Sequence, residues 1–179
     1  MKMKKELNPP KYIEKVYSTK GLPVFLSVFS LFTVALTVSA FIIFLIGSFF
    51  LDYRAALGVI LICGFPFVIV TLLRRRFNAK RPYEIYDLSS LPGFVEKRKS
   101  GRSFPSRHVF SAFVIGTTLS FTVPPVGIVL CVFGVGLGAC RVLLGIHFIR
   151  DVIAGALIGI VSGIVGTLVV NYSLFPVIF

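Results

Sequence analysis

Acidic residues are scarce in this sequence: only 7 of its 179 residues are Asp or Glu, against 19 that are Lys or Arg. No segment gathers them into the carboxylate-rich cluster that a magnesium site requires. Cysteine is also rare, and Cys63, Cys131 and Cys140 show no Cys-x-x-Cys pair and no plausible zinc spacing. We therefore expect no metal site, and we interpret the cysteines as small buried apolar residues.

Charge of either sign is uncommon. Charged residues make up 15% of the chain, whereas a soluble domain has roughly 25%. The hydrophobic fraction is 56% and the mean hydropathy is +0.92, and the long apolar runs contain no charge. These features exclude a soluble domain and predict an integral membrane protein.

Five apolar runs predict five transmembrane helices. They cover residues 21–51, 55–73, 109–123, 126–140 and 152–170. The first run is longer than the ~20 residues that cross the hydrocarbon core, but too short to cross twice. Pro66 predicts a kink in the second helix, and Pro124 and Pro125 separate the third from the fourth. The predicted fold class is all-α, a polytopic membrane helix bundle with a long interfacial loop at residues 74–107 that carries part of the functional site.

Residues 1–20 form a basic leader with six lysines against two glutamates, and they could include an interfacial helix from about Lys11. The apolar run that follows is too long for a cleaved signal peptide. Lysines beside a first span favour a cytoplasmic N-terminus. We expect residues 21–179 to form a single transmembrane domain. The 74–107 loop follows two spans and the 141–151 turn follows four, so both are predicted to lie on the side of the N-terminus.

The first of three polar clusters, at residues 74–82, reads Arg-Arg-Arg-Phe-Asn-Ala-Lys-Arg-Pro. Arg74 and Arg81 are two helical turns apart and can point from one face as the span leaves the membrane. Guanidinium groups stay charged and bind phosphate oxygens through a planar fork. A positive anchor at the membrane surface is the alternative, which we favour for Arg75 and Arg76.

The second cluster, Ser-Phe-Pro-Ser-Arg-His at residues 103–108, directly precedes the third span. A proline followed by polar residues at a helix start presents free backbone N–H groups to an anion, and Ser106 can add a hydroxyl. In the third cluster, at residues 140–151, His147 and Asp151 are four apart, so they share one face if the following segment starts as a helix near His147. The carboxylate can then fix the imidazole tautomer. A helix end with a solvated arginine and an interfacial histidine is the alternative.

Both histidines of the chain, His108 and His147, lie at the membrane ends of these clusters. Two imidazoles with several arginines describe a phosphoryl-transfer site without a metal. One imidazole attacks phosphorus, the other protonates the leaving oxygen, and the arginines neutralise the remaining phosphate oxygens.

The three clusters resemble the motifs of the type-2 phosphatidic acid phosphatase superfamily, which includes membrane lipid phosphatases and vanadium haloperoxidases. The family pattern is Lys, six residues and Arg-Pro, then Pro-Ser-Gly-His, then Ser-Arg, five residues, His, three residues and Asp. The chain has these motifs in the same order, with the same spacing and at span ends, at residues 74–82, 105–108 and 140–151.

The resemblance implies a role for each matching residue. His147 would be the nucleophile that forms a phosphohistidine, Asp151 its orienting carboxylate, and His108 the general acid for the leaving group. The phosphate would be bound by the remaining matched residues, Arg74, Arg81, Ser106, Arg107 and Arg141. The resemblance also implies a reaction without metal or cofactor, and a partner that is a membrane lipid rather than a nucleic acid.

Three residues depart from the family pattern. Arg74 replaces lysine, which keeps the charge but changes the reach of the side chain. Arg107 replaces glycine, and its side chain could contact a second phosphate. Cys140 replaces serine and donates a poorer hydrogen bond.

We therefore expect a multi-pass lipid phosphatase of the cell membrane, whose substrate keeps an acyl or isoprenoid tail in the bilayer. The resemblance suggests an isoprenyl pyrophosphate such as undecaprenyl pyrophosphate, phosphatidylglycerophosphate or phosphatidic acid. The pyrophosphate is favoured because it would use the surplus cations of the loop, Lys97, Arg98, Lys99, Arg102 and Arg107.

Two other classes are weighed. A noncatalytic phospholipid-binding or transport membrane protein would need a basic interfacial pocket but not both histidines. A vanadium haloperoxidase would share the site, but those enzymes are large and soluble, which the five apolar runs contradict. The cations of the loop do not decide which side of the membrane the site faces, because a phosphate would require them on either side.

Overall fold

Helices make up most of the described chain. The computed structural model describes residues 7–94 and 100–171, and within them seven helices are joined by turns and loops. They are α1 (Lys11–Ser18), α2 (Leu22–Leu51), α3 (Tyr53–Phe77), α4 (Pro82–Ile85), α5 (Arg107–Ser120), α6 (Pro124–Leu143) and α7 (Ile149–Val169). The all-α fold class predicted from the sequence is confirmed.

Within the described ranges, four segments are long and apolar enough to cross a membrane: α2, α6, α7 and the segment that begins with α3. By contrast, α5 has 14 residues. At that length it reaches about 21 Å, which is less than the hydrocarbon core of ~30 Å. The sequence predicts a span at 109–123, whereas α5 begins at Arg107 and ends at Ser120, where a turn follows before α6 starts on two prolines. The predicted membrane helix bundle is confirmed, with its third span present as a short helix that contacts α2, α3, α6 and α7.

Glycines bring α5 and α7 close together. A Cβ atom added at Gly155 would lie 2.5 Å from the carbonyl oxygen of Ser106, and one at Gly159 would lie 2.7 Å from that of Phe110. Both distances are far too short for a real side chain, so only glycine allows this backbone approach. The same contact is fixed by a hydrogen bond from Ser106 N to the carbonyl oxygen of Asp151 (2.8 Å). The second and third motifs are therefore joined directly through the backbone.

The loop that follows α3 joins the first motif to the second. α3 ends at Asn78, which has a left-handed φ of 41°, and the next residue, Ala79, accepts a hydrogen bond from Ser103 N (2.9 Å). The loop is thereby folded back onto the end of α3. All three motifs lie at this one end of the bundle.

The leader helix α1 packs against the same end. Its buried face, Ile13, Val16 and Tyr17, lies in one apolar cluster with Leu88 of the loop and Leu144 of the α6–α7 turn. The Tyr17 hydroxyl also donates to the carbonyl oxygen of Leu144 (3.4 Å). α1 therefore supports the two segments that carry the polar motifs.

Candidate active site

A basic cavity of about 830 Å³ opens where the three motifs meet. No Asp or Glu is among the described residues that line it, whereas six arginines and both histidines are: Arg74, Arg75, Arg81, Arg102, Arg107, Arg141, His108 and His147. The predicted cations Lys97, Arg98 and Lys99 lie outside the described residues. The cavity is suited to an anion with several negative charges.

His147 is the buried imidazole of this cavity, with 2% of its surface exposed. Its Nδ1 atom lies 3.5 Å from Asp151 Oδ2 and 3.2 Å from Ser103 Oγ. Both contacts are on the same ring nitrogen, which leaves Nε2 for a ligand in the cavity. A neutral ring whose Nδ1–H faces a carboxylate carries its lone pair on Nε2.

Burial also sets the charge of this imidazole. It lowers the pKa of His147 to about 4, although the hydrogen bond that the ring donates to Asp151 raises this pKa; the charge of Arg81 lowers it further. The ring is therefore neutral at neutral pH. A neutral imidazole is the form that can act as a nucleophile.

Asp151 is held in place by the start of α7. It lies in the first turn of that helix, fully buried, and Oδ2 accepts a hydrogen bond from Phe148 N (3.1 Å). A carboxylate is stabilised there because the first N–H groups of a helix lack partners within the helix. The turn that precedes α7 thus aims both members of the His147–Asp151 pair.

Ser103 is the site residue that sequence reasoning missed. Its buried hydroxyl donates to Asp151 Oδ2 (2.5 Å) and also contacts His147 Nδ1, so it links the pair to the second motif. The sequence contains the residue at the start of the second cluster, but no helical or motif spacing relates it to His147. The available signal was that Ser103 is a polar residue within a cluster of functional residues and had no role assigned to it.

Arg74 and Arg81 shape the cavity as well as line it. Arg74 is 8% exposed, and its Nη1 donates to the carbonyl oxygens of Ser103 (3.4 Å) and Pro105. Arg81 donates from Nε to the carbonyl oxygen of Gly101 (3.1 Å) and from Nη1 to that of Ile146 (3.4 Å). Each side chain therefore holds a loop segment with some of its donors and can offer the others to a ligand.

The Glu84 carboxylate joins the backbone of Arg81 to that of Gly101. Its Oε2 accepts from Arg81 N (2.7 Å), and both carboxylate oxygens accept from Gly101 N at 2.9 Å. Gly101 has a φ of +62°, and a Cβ there would lie 2.4 Å from Asn78 Oδ1. The glycine is needed for this contact between the loop and the end of α3.

The last turn of α6 supplies Arg141. Its carbonyl oxygen accepts from Ile146 N (2.9 Å) and His147 N (3.1 Å), which closes the α6–α7 turn. Its side chain lines the cavity, and its buried Nε has no partner among the described residues. The neighbouring Cys140 is instead buried in an apolar cluster, so the replacement of the family serine falls outside the cavity lining.

Arg107 and His108 occupy the first turn of α5. Arg107 lies over the ring of Phe67, with Cζ 5.4 Å from the ring centroid. His108 lines the basic cavity and also a separate apolar groove of about 330 Å³ between α2, α3 and α5. The groove is walled by side chains such as Val38, Phe41 and Phe67.

Six of the eight predicted site residues line the basic cavity: Arg74, Arg81, Arg107, His108, Arg141 and His147. Asp151 lies buried behind His147. Ser106 is also buried, and its hydroxyl has no hydrogen-bond partner in the described ranges. It is absent from the cavity lining, so a contact between that hydroxyl and phosphate stays a prediction.

Among the described residues, no three His, Cys, Asp or Glu side chains are grouped closely enough to hold a metal ion. The cavity instead offers guanidinium groups, an imidazole with its free nitrogen inward, and a second imidazole at the rim. These groups can bind an anion and exchange protons with it.

Comparison with known proteins identifies the family and the fold of the chain. The chain matches the PAP2 superfamily over residues 53–175. It is similar in structure to LpxE from Aquifex aeolicus, with 28% identity, a TM-score of 0.67, and coverage of 87% of this chain and 90% of that chain. It is also similar to a transmembrane PAP2-type phosphatidylglycerolphosphate phosphatase from Bacillus subtilis, with 23% identity, a TM-score of 0.67, and coverage of 91% and 85%.

No curated protein sequence matches the chain. The family match nevertheless covers more than half of it and includes α3, α5, α6 and α7, the helices on which the site is built. The resemblance read from the three motifs is confirmed, and the chain belongs to the PAP2 superfamily of membrane phosphatases.

Proposed function

We propose that this phosphatase hydrolyses a phosphate monoester or diphosphate of a membrane lipid, without a metal ion, through a phosphohistidine on His147. The observation that carries the proposal is the buried imidazole: Asp151 and Ser103 hold its Nδ1, while the ring lines a cavity with six arginines. Such a ring presents Nε2 as a nucleophile, and guanidinium groups stabilise the charge of the transferring phosphoryl group.

In the first step, the head-group phosphate binds among Arg74, Arg81 and Arg141. His147 Nε2 attacks phosphorus and forms the N–P bond, while the bond between phosphorus and the leaving oxygen breaks. The leaving oxygen keeps the electron pair and takes a proton from His108. This assignment follows from position, because His108 stands at the rim where the cavity meets the apolar groove.

In the second step, water attacks the phosphohistidine. The water gives a proton to His108, which is neutral after the first step, and the N–P bond breaks. Inorganic phosphate leaves, and His147 returns to its neutral form. Asp151 and Ser103 keep Nδ1 oriented throughout, which stabilises the positive charge on the ring while the N–P bond exists.

The start of α5 adds backbone donors to the phosphate site. The first N–H groups of a helix have no partner within the helix and bind anions well. Arg107 and His108 lie in that first turn, so the proposed phosphate contact at Arg107 includes its backbone as well as its side chain.

A lipid diphosphate is the favoured substrate. A phosphate monoester carries about two negative charges at neutral pH, fewer than the six arginines of the cavity could neutralise. The apolar groove beside His108 would hold the first part of the hydrocarbon tail, with the remainder in the bilayer. An isoprenyl pyrophosphate such as undecaprenyl pyrophosphate meets both requirements, and phosphatidylglycerophosphate and phosphatidic acid are the alternatives. We place the enzyme in the cell membrane.

Phosphate release from purified protein tests this function. The detergent-purified wild type and His147→Ala are assayed with EDTA present against undecaprenyl pyrophosphate, phosphatidylglycerophosphate and phosphatidic acid. Arg76→Ala serves as a control, because Arg76 is exposed and is not part of the described cavity lining. Thermal unfolding of each variant shows that it is folded.

We expect release by the wild type and by Arg76→Ala, and a loss of at least about 1,000-fold in kcat for His147→Ala, as for removal of other nucleophiles. Equal turnover by His147→Ala would contradict the phosphohistidine. Binding of the lipids by folded wild type without any phosphate release would favour a noncatalytic phospholipid-binding or transport protein. Loss of activity with EDTA that added magnesium restores would contradict metal independence.

A further inference from the structure

Arg107 stands where the family motif has glycine, and its surroundings give it a definite position. The side chain is half-buried at the first residue of α5, and its guanidinium lies over the Phe67 ring on α3. A guanidinium held on an aromatic face keeps its N–H donors in the ring plane free for an anion. Phe67 therefore acts as an anchor for a cation that the family pattern lacks.

This position is the junction of the two cavities. Arg107 lines the basic cavity, Phe67 lines the apolar groove, and the intervening His108 lines both. A lipid head group that enters from the groove must pass His108 and Arg107 before it reaches His147. The group next to Arg107 is then the part of the head group attached to the lipid, rather than the terminal phosphate.

The donors of Arg107 are available for that group. Arg74 and Arg81 use part of their guanidinium groups on backbone carbonyls. In the described part of the chain, no protein oxygen takes a hydrogen bond from the Arg107 side chain, whose contact is the Phe67 ring. The Arg107 guanidinium is thus held in position with its N–H donors unused, whereas Arg74 and Arg81 spend part of theirs on building the site.

We infer that Arg107 binds the lipid-linked phosphate of a diphosphate substrate and makes the site selective for diphosphates over monophosphates. This rests on the proposed function, in which His147 attacks the terminal phosphorus. The bond between that phosphorus and the bridging oxygen breaks, and the electron pair stays on the bridging oxygen. Negative charge develops on the lipid monophosphate leaving group beside Arg107 as this bond breaks, and its oxygen then takes the proton of His108, as in the proposed first step.

A lipid monophosphate would use the site differently. Its leaving group is a lipid alcohol, whose oxygen must take a proton from His108, and no charged group would stand beside Arg107. The guanidinium therefore stabilises the transition state for the diphosphate more than that for the monophosphate. The second step, attack of water on the phosphohistidine, is the same for both substrates.

The test compares two substrates that differ by one phosphate, farnesyl diphosphate and farnesyl phosphate. The kcat/KM of the full detergent-purified chain is measured on both for the wild type, Arg107→Ala, Arg107→Gly, Phe67→Leu and the control Arg76→Ala. The readout is the ratio of kcat/KM on the diphosphate to that on the monophosphate. A ratio cancels a general loss of active protein, and thermal unfolding reports on folding.

We expect the wild type to favour the diphosphate and both Arg107 variants to lower the ratio by about 10- to 100-fold, the scale of one lost charge-assisted hydrogen bond. Phe67→Leu should lower it about two- to fivefold, because the cation keeps its charge but loses its anchor. Arg76→Ala should leave the ratio unchanged.

An Arg107→Ala ratio within about twofold of wild type would overturn the inference and leave the phosphatase in place. A wild type that prefers the monophosphate would do the same. Hydrolysis of neither lipid by folded wild type would overturn the proposed function, and the inference with it.

Discussion

Removing the Ser103 hydroxyl tests how His147 is held. In Ser103→Ala, Asp151 Oδ2 keeps the hydrogen bond from Phe148 N but loses the one from Ser103, and His147 Nδ1 keeps only Asp151, at 3.5 Å. A hydrogen bond to a charged group contributes about 1.5–3 kcal/mol. If all of it acts in the transition state, kcat falls by about 10- to 150-fold.

The expected loss is in kcat rather than KM. Ser103 is fully buried and does not line the described cavity, so the substrate should bind with nearly unchanged affinity. The pH profile gives a second readout. His147 Nδ1 loses the serine oxygen as an acceptor, so the imidazolium is less stabilised, which lowers the pKa of His147 and moves the acid limb to lower pH.

Ser89→Ala is the matched control, because it also removes a serine-to-carboxylate hydrogen bond. That bond joins Ser89 Oγ to Asp87 Oδ1 (2.6 Å), and it is exposed and belongs to residues outside the cavity lining. Its kcat should equal that of wild type. A Ser103→Ala enzyme within twofold of wild type would refute the reasoning, and a lower kcat with an unmoved acid limb would assign Ser103 a purely structural role.

Two further results are expected. Because burial lowers the pKa of His147 to about 4, kcat/KM should rise with pH and reach a plateau from about pH 5; an acid limb near pH 6.5 would show an imidazole that is not buried in this way. Gly155→Ala should unfold at a lower temperature than wild type, because its Cβ would meet the Ser106 carbonyl oxygen at 2.5 Å. Overpacking of this kind lowers the free energy of unfolding by about 1–3 kcal/mol. The control Gly47→Ala should be near neutral, because no atom lies within 4 Å of the added Cβ. Equal unfolding temperatures for the two glycine variants would mean that α5 and α7 separate without cost.

The sequence predicted the helices and the motif residues because both follow from short-range patterns. An apolar run reports a membrane helix. The expectation that His147 and Asp151 share a helix face was wrong, because His147 lies in the bend before α7, yet the spacing of four residues still brings the two side chains together. The extent of α5 did not follow, because that helix is surrounded by neighbouring helices on several sides and need not match the thickness of the bilayer. Its length is set by the turn before Pro124.

Contacts between distant residues were beyond the sequence. Ser103 meets His147 only because the loop after α3 folds back on Ala79. Arg107 could be recognised as a departure from glycine, but its anchor on Phe67 lies forty positions away in another helix. Such pairs depend on the packing of α3, α5 and α7, which no short-range pattern in the sequence reports.

The double exposure of His108, to the basic cavity and to the apolar groove, has a consequence for how substrate arrives. The groove is walled partly by residues that face outward, such as Val38 and Phe67, which are 50% and 37% exposed. A lipid can therefore reach the site by lateral diffusion, with its tail remaining in hydrocarbon. The quantity that sets the rate of encounter is then the mole fraction of substrate among the surrounding lipids, and dilution with inert lipid or detergent should slow turnover even when the total substrate concentration is constant.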